Sequence, residues 1–193
     1  MELGALLLAP GAGSDRDHRT LVRIEAAVAP LPTARMDFPY RREGRRAPDR
    51  APKLVAAVVE EAAALGQRAG VAQGALVLGG RSMGGRMGSL AVAEGLPAAG
   101  LVLLSYPLHP PGRPEGLRVE HFPALDVPCL FVSGTRDPFA APADLEAHTA
   151  AIPGPVSHVW IDGAGHDVKD LKSRPGEAQV VDAVVDWLAG LRR

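Results

Sequence analysis

The chain has 193 residues, 21 Lys and Arg against 22 Asp and Glu, a formal net charge of −1 and an apolar fraction of 47%. This length predicts one domain, residues 1–193, with enough chain to bury a hydrophobic core. The balanced charge argues against nucleic acid or an anionic membrane as the main partner, and no apolar stretch is long enough to span a bilayer.

The first third of the chain alternates between apolar stretches typical of strands and stretches with helical periodicity. Strands are predicted at residues 3–9 and 33–38, and helices at 17–29 and 52–69. A glycine-containing turn follows the first strand, and a loop rich in proline and arginine, residues 39–48, follows the second. Because Glu and no Lys or Arg precedes the first apolar run, a core strand is expected there rather than a signal peptide.

The middle of the chain holds the most informative motif. A short apolar strand, residues 75–81, leads into Gly-Arg-Ser-Met-Gly, and helical spacing continues over 83–94. This order is typical of a nucleophile elbow, a tight turn that lifts the hydroxyl of Ser82 above the sheet edge. Side chains at Gly80 or Gly84 are expected to collide in so tight a turn. The alternative is a glycine-rich strand-to-helix turn in which the serine has no chemical role.

The remainder of the chain keeps the same alternation. A strand at 101–104 is followed by a proline-rich connection without helical periodicity, which runs to about residue 128. The last predicted elements are strands at 130–133 and 157–161 and helices at 142–151 and 176–191. The pattern predicts an α/β protein, a three-layer α/β/α sandwich with a mostly parallel six-stranded sheet. Ligands bind at the carboxyl ends of the strands in such sheets.

Two polar residues at the carboxyl ends of late strands are candidates to activate Ser82. A serine hydroxyl becomes a good nucleophile when a base, usually a histidine oriented by a carboxylate, takes its proton. Asp137 and His166 each follow a late strand, in the chain order Ser, Asp, His that this fold requires. Asp137 precedes a proline and is alternatively a turn residue. Asp162 and Asp167 are rival acids, the second less suitable because it lies beside the histidine and points elsewhere.

Acyl transfer also needs N–H donors for the negative charge that develops on the carbonyl oxygen. Met83, directly after the serine, is expected to supply one, and the loop after the first strand is expected to supply the other from Ala12 or, alternatively, Gly11. The same loop matches half of a dinucleotide fingerprint, Gly11-x-Gly13, but Arg16 stands at the third glycine position and argues against nucleotide binding. The mechanism requires no cofactor and no metal.

Together, these motifs resemble the α/β-hydrolase superfamily, and more narrowly the small group typified by testis-expressed protein 30 and the hydrolase-like domain of NSL complex subunit 3. The matching segments are Pro-Gly-Ala-Gly at 10–13, Asp-Phe-Pro-Tyr-Arg-Arg-Glu-Gly at 37–44, Gly-Arg-Ser-Met-Gly-Gly-Arg at 80–86, Tyr-Pro-Leu-His-Pro-Pro-Gly at 106–112, Arg-Asp-Pro-Phe at 136–139 and Gly-His at 165–166. The resemblance implies a minimal, lidless hydrolase core with a triad of Ser82, Asp137 and His166. Dienelactone hydrolases are similar more distantly and use cysteine at the elbow.

Several side chains are candidates for substrate binding. Arg41 and Arg42 could form a rim that binds a substrate carboxylate or phosphate, although a solvated loop with its charges paired locally is the favoured interpretation. The connection after the fourth strand is too short for a usual lid, so a shallow, open pocket for esters of modest size is expected. Tyr106 and His109 lie in that connection and could line the pocket.

The sequence therefore predicts a serine hydrolase, carboxylesterase-like, that acts on a small-molecule acyl substrate through an acyl-enzyme. Acyl transfer to another acceptor or peptide cleavage would use the same triad, and a non-catalytic interaction module would use the same fold. The single cysteine, Cys129, excludes an internal disulfide and fits a reducing compartment, so a cytoplasmic location is expected. The oligomeric state is left open.

Overall fold

A six-stranded parallel sheet lies at the centre of the computed structural model, which describes residues 3–171 and 174–191. The strands are β1 Ala5–Ala9, β2 Thr33–Arg35, β3 Leu76–Arg81, β4 Gly100–Leu104, β5 Cys129–Gly134 and β6 Val156–Ile161. They lie in the order β2-β1-β3-β4-β5-β6, and every neighbouring pair is parallel. This confirms the predicted fold class.

Helices cover both faces of the sheet. They are α1 Arg19–Ala27, α2 Pro39–Arg42, α3 Ala51–Ala69, α4 Met83–Ala93, α5 Pro142–Thr149 and α6 Gly176–Leu191. Helices α3, α4 and α5 contribute to the core on one face, and α1 and α6 contribute to the core on the other. In β1 all five residues are buried and alternate between these two cores, as expected for a strand covered on both sides. No helix within the described ranges is both long and apolar enough to cross a lipid bilayer.

The structure differs from the predicted elements mainly between residues 33 and 48. Strand β2 ends at Arg35 rather than at residue 38, and a one-turn helix, α2, begins at Pro39 within the predicted loop. Proline is well suited to the first helical position because its fixed φ fits the helix and its missing N–H needs no partner there. Met36 and Phe38 are buried although neither lies in a strand, so their apolar character extended the prediction too far.

The smaller elements lie in the connections. Two short 3₁₀ turns, Gln73–Ala75 and Phe122–Ala124, precede β3 and β5, and a short antiparallel ribbon, β7 Asp170–Leu171 with β8 Arg174–Pro175, precedes α6. The β4–β5 connection contains no α-helix between its described residues 105 and 128, in agreement with the sequence prediction. The carboxyl edge of the sheet is therefore covered by loops rather than by a helical lid.

Candidate active site

Ser82 lies in a strained turn between β3 and α4. Its backbone has φ 51° and ψ −114°, and its N–H donates to the carbonyl of Leu104 at 2.7 Å. A positive φ is unfavourable for a residue with a side chain, so the surrounding structure must enforce it. A Cβ atom at Gly80 would lie 2.6 Å from the Gly84 carbonyl carbon, and one at Gly84 would lie 2.3 Å from the carbonyl oxygen of Ala9. The predicted collisions are confirmed, and the left-handed conformation belongs to the serine itself.

A continuous chain of hydrogen bonds joins the serine to a buried carboxylate. The Ser82 Oγ lies 2.9 Å from His166 Nε2, and His166 Nδ1 lies 2.9 Å from Asp137 Oδ2 and 3.1 Å from Oδ1. An ionised carboxylate can only accept, so Nδ1 has the proton and Nε2 accepts from the serine hydroxyl. The side chain of Asp137 is fully buried, whereas that of His166 is 20% exposed. This arrangement can draw a proton from the hydroxyl.

Neighbouring groups fix the histidine and the carboxylate. The N–H of Phe139 donates to Asp137 Oδ1 at 2.9 Å, and its ring packs edge-on against the His166 imidazole, with 4.6 Å between the centroids. Arg81 Nη2 donates to the carbonyl of His166 at 3.2 Å and to Asp167 Oδ1 at 3.1 Å. The rival acid Asp167 is thus paired with Arg81 and does not contact the imidazole.

The other rival acid has a different hydrogen-bond partner. Asp162 is in contact with the hydroxyl of Thr135, at 3.5 Å from its Oγ1. Of the three acids considered from sequence, Asp137 is the one that lies within hydrogen-bond distance of His166 Nδ1 through both of its oxygens. The loop positions after β5 and β6 were therefore sufficient to find the pair, whereas Arg81 and Phe139 were not identified because their contacts depend on tertiary structure.

Two of the three expected oxyanion donors lie beside the serine. Ala12 and Met83 line the same cavity as Ser82, whereas Gly11 is buried and does not line it. Met83 is the first residue of α4, where a backbone N–H has no carbonyl partner within the helix. The hydroxyl of the buried Tyr40 donates to the carbonyl of Ala12 at 2.8 Å and so holds the loop after β1 in place.

A second contact holds the same loop. Asp37 Oδ1 accepts the N–H of Arg16 at 2.8 Å. Neither Tyr40 nor Asp37 was predicted as a site residue, although both belong to the segment 37–44 on which the family resemblance rests. The Tyr40 hydroxyl and the Asp37 carboxylate both form hydrogen bonds with the loop after β1, so a segment after β2 helps to position that loop beside Ser82.

A cavity of about 450 Å³ extends from the serine toward the β4–β5 connection. This volume is in the range of small-molecule sites. His109 lines it as predicted, with its Nδ1 3.0 Å from the carbonyl oxygen of Pro110. Apolar walls come from Leu54, Met87 and Phe139, and exposed prolines at 48 and 111 form its rim.

Three predicted substrate-binding residues lie elsewhere. Tyr106 does not line the cavity because its ring is 1% exposed in the core, where its hydroxyl donates to the Arg118 carbonyl at 2.6 Å. Burial raises the pKa of that phenol. Arg41 pairs with Asp15 at 3.5 Å and Arg42 pairs with Glu61, and neither lines the cavity.

A third arginine of the same loop is paired as well. Arg45 forms ion pairs with Glu43 and with Asp49, the second at 2.9 Å. The pairing of Arg45 agrees with the favoured interpretation of a locally paired loop, whereas Arg41 and Arg42 pair with residues of other segments. The arginines that do line the cavity are Arg81, Arg86 and Arg118, which the sequence analysis did not select. Within the described ranges, no group of three or more His, Cys, Asp or Glu side chains could hold a metal ion.

Comparisons with known proteins agree with this architecture. A family model described as an alpha/beta hydrolase domain matches residues 2–189. The structure of dienelactone hydrolase from Anabaena variabilis has a TM-score of 0.75 at 20% identity, covering 98% of this chain and 87% of that one. Est1E from Butyrivibrio proteoclasticus has a TM-score of 0.76 at 16% identity, covering 98% and 88%. At these identities the two structures establish a shared fold.

A shorter match is found to a curated protein. Epoxide hydrolase A from Mycobacterium tuberculosis is 40% identical over 67 residues, which are 35% of this chain and 20% of that protein. The matched region therefore spans about a fifth of that relative's length.

Proposed function

The chain belongs to the alpha/beta hydrolase family, and on that basis we propose that it is a serine hydrolase that cleaves a carboxylic ester through an acyl-enzyme. Ser82 is the proposed nucleophile, His166 the general base and acid, and Asp137 the residue that orients the imidazole. The observation that supports these roles is the hydrogen-bond chain from Ser82 Oγ to the Asp137 carboxylate, with 2.9 Å at each imidazole nitrogen.

In the first half-reaction, Ser82 Oγ attacks the acyl carbonyl carbon while its proton moves to His166 Nε2. The Asp137 carboxylate stabilises the imidazolium that forms. The N–H groups of Met83 and Ala12 donate to the oxyanion, and one such donor lowers the barrier by about 3 kcal/mol. Collapse of the tetrahedral intermediate breaks the ester C–O bond, and His166 gives its proton to the leaving alkoxide.

In the second half-reaction, a water molecule attacks the acyl-enzyme carbonyl. His166 takes a proton from this water, the same N–H groups stabilise the second oxyanion, and the Ser82 oxygen leaves with the proton from His166. The products are a carboxylic acid, an alcohol and the free enzyme. The exposed rim of the cavity favours esters of modest size.

Three finer assignments are also proposed. The six segments quoted above support membership of the group typified by testis-expressed protein 30. The six-stranded sheet with one core on each face supports one domain over residues 1–193. A reducing, cytoplasmic setting is proposed from Cys129, which is buried in β5 and whose pKa is raised to about 12 by burial.

Labelling with a fluorophosphonate probe tests the proposed nucleophile. We expect the wild-type protein to be labelled and Ser82→Ala to be unlabelled, because the probe reacts only with an activated serine. Ser14→Ala is the matched control, since that hydroxyl donates to the backbone carbonyl of its neighbour Asp15, and this variant should be labelled like the wild type. Asp137→Asn should reduce ester turnover by about 10³–10⁴-fold.

Two results would contradict the proposal. Folded wild-type protein that resists the probe, or labelling that persists in Ser82→Ala, would favour a non-catalytic interaction module. A panel of p-nitrophenyl esters of increasing chain length then defines the acyl group that the cavity accepts.

A further inference from the structure

Two arginines face the candidate active site from different parts of the chain. Arg86 lies in α4, one turn after the serine, and its N–H donates to the Ser82 carbonyl at 3.1 Å. Arg118 lies in the β4–β5 connection, anchored by its own N–H to the carbonyl of Leu108 at 2.8 Å. Both side chains line the same cavity as Ser82 and His166.

Neither of these two guanidinium groups has a carboxylate partner among the described residues. Seven arginines form ion pairs with carboxylates: Arg19, Arg23, Arg35, Arg41, Arg42, Arg45 and Arg81. Within residues 3–171 and 174–191, no hydrogen bond or ion pair reaches the guanidinium of Arg86 or Arg118, and the Nε of Arg86 is buried without an acceptor. A buried donor without an acceptor is unfavourable, so an acceptor on a molecule bound in this cavity would be stabilised there.

The charges around the cavity support a negatively charged ligand. Burial lowers the pKa of Arg118, and the nearby charge of Arg86 lowers it further. Asp49 is the acidic residue on the cavity wall, and it is already paired with Arg45 at 2.9 Å and with Lys53 at 3.3 Å. Glu120 is exposed and forms no ion pair with either arginine. The positive charge is therefore not neutralised by the protein.

We propose that Arg86 and Arg118 bind a carboxylate of the substrate while its ester carbonyl lies at Ser82, so that the substrates are esters with a free carboxylate group. Arginine presents a planar pair of N–H donors that matches a carboxylate. The inference rests on the proposed hydrolase function and adds the substrate class. It makes Arg86 and Arg118 residues that determine specificity.

Kinetics with paired substrates test this assignment. The first pair, 4-nitrophenyl hydrogen adipate and 4-nitrophenyl methyl adipate, tests a carboxylate on the acyl part of the ester. The second pair, 4-carboxyphenyl butyrate and the methyl ester of its carboxyl group, tests a carboxylate on the alcohol part. In Arg86→Met or Arg118→Met, we expect KM for one anionic ester to rise at least about 10-fold more than KM for its neutral partner, the usual effect of losing a charge-assisted hydrogen bond. Arg86→Lys should recover part of this difference.

The matched control is Arg68→Met, which removes one positive charge from an exposed position of α3. Arg68 lies 17 residues along the helix from the cavity end at Ala51, roughly 25 Å away at 1.5 Å per residue. This variant should retain the kinetics of the wild type with all four esters. An equal loss in Arg68→Met would mean that net charge rather than a binding site causes the effect.

Two further measurements separate the site from the reaction. Fluorophosphonate labelling of each variant reports on Ser82, and calorimetry of adipate with Ser82→Ala reports on the arginines without turnover. Adipate should bind Ser82→Ala at least about 10-fold more tightly than it binds Ser82→Ala with Arg86→Met. Suppose that the probe labels the arginine variants, that KM rises equally for their anionic and neutral esters, and that adipate does not bind Ser82→Ala. The carboxylate site is then wrong and the hydrolase assignment stands. If labelling fails while adipate still binds, the hydrolase assignment is wrong and the anion site stands.

Discussion

Gly80 and Gly84, on either side of Ser82, are needed because a Cβ atom would not fit at either position, and not because their backbone requires a positive φ. The left-handed conformation is adopted by the serine, and Gly80 and Gly84 leave room for β1 and α4 to approach each other. A Cβ atom at either position would collide with backbone atoms, which cannot move aside as the end of a flexible side chain can. The elbow therefore depends on the absence of two Cβ atoms.

Gly84→Ala tests this explanation. Its Cβ would lie 2.3 Å from the Ala9 carbonyl oxygen, so we expect a loss of about 3 kcal/mol in the free energy of unfolding together with loss of probe labelling. Gly88→Ala is the control on the same helix, since its Cβ would lie 3.7 Å from Leu78 and alanine favours a helix by about 1 kcal/mol. Urea unfolding measures both. Equal stability of the two variants would contradict the steric argument.

Tyr40 holds the loop that carries Ala12, one of the proposed oxyanion donors. Burial raises the pKa of its phenol, so the hydroxyl remains a donor to the Ala12 carbonyl at neutral pH. Removing this bond in Tyr40→Phe should lower kcat about 10-fold and change KM little, because the loop contacts the transition state more than the ground state. Steady-state kinetics provide the measurement. A loss of stability with unchanged kcat would show that the hydroxyl is only structural.

At the scale of elements, helix α4 is joined to the β4–β5 connection by a buried polar pair. Ser89 is fully buried in α4, and its Oγ lies 2.8 Å from Nε2 of His121 just before the 3₁₀ turn. Burial, assisted by the charge of Arg86, lowers the pKa of His121 to about 4. The folded protein therefore holds this imidazole neutral.

This contact should make stability depend on pH. The unfolded chain protonates His121 near its ordinary pKa of about 6.5, whereas the folded chain does so only near 4, so the stabilisation is complete above 6.5 and declines as the pH falls toward 4. When the pH falls from about 7 to about 4.5, the free energy of unfolding should decrease by about 1–2 kcal/mol less in His121→Gln than in the wild type. This figure is reduced for the partial exposure of the His121 imidazole. Urea unfolding at both pH values measures this difference. Parallel pH profiles would contradict it.

Periodicity predicted most elements because long helices and buried strands bury apolar residues in regular patterns. It did not predict where β2 ends, since Phe38 is buried in the turn before α2 as completely as it would be in a strand. The hydrogen-bonded set of Ser82, His166 and Asp137 could be predicted because each member follows a strand whose end is visible in the sequence. Arg86 and Arg118 could not be paired from sequence, because they are 32 residues apart and meet only when the connection packs over α4.

At the scale of the whole molecule, a partly buried ion cluster on the α1–α6 face contacts the loop that carries His166. Glu177, 3% exposed at the start of α6, accepts from Thr20 Oγ1 at 2.7 Å and pairs with Arg23 at 2.9 Å and Arg19 at 3.1 Å. Arg19 also donates to the carbonyl of Val168, two residues after His166. The cluster therefore connects α1, α6 and the loop after β6.

Glu177→Ala should lower the free energy of unfolding by about 1–2 kcal/mol, because it removes the buried carboxylate that accepts from Thr20 and pairs with two largely solvated arginines. Glu60→Ala, an exposed position on α3, is the control and should change stability by less than about 0.5 kcal/mol. Denaturant unfolding compares the two. Similar small effects would mean that the cluster contributes no net stability.

The open cavity beneath the β4–β5 connection has a consequence for protein engineering. Residues 111–115 at the tip of this connection are exposed, and the turn there is closed by local bonds, from Arg113 N–H to Pro110 and from Gly116 N–H to Arg113. Doubling such a loop adds only about 0.6 kcal/mol of closure entropy. An inserted helical hairpin would form a roof above the nucleophile without altering the sheet, and the range of accepted acyl groups could then be redesigned independently of the catalytic machinery.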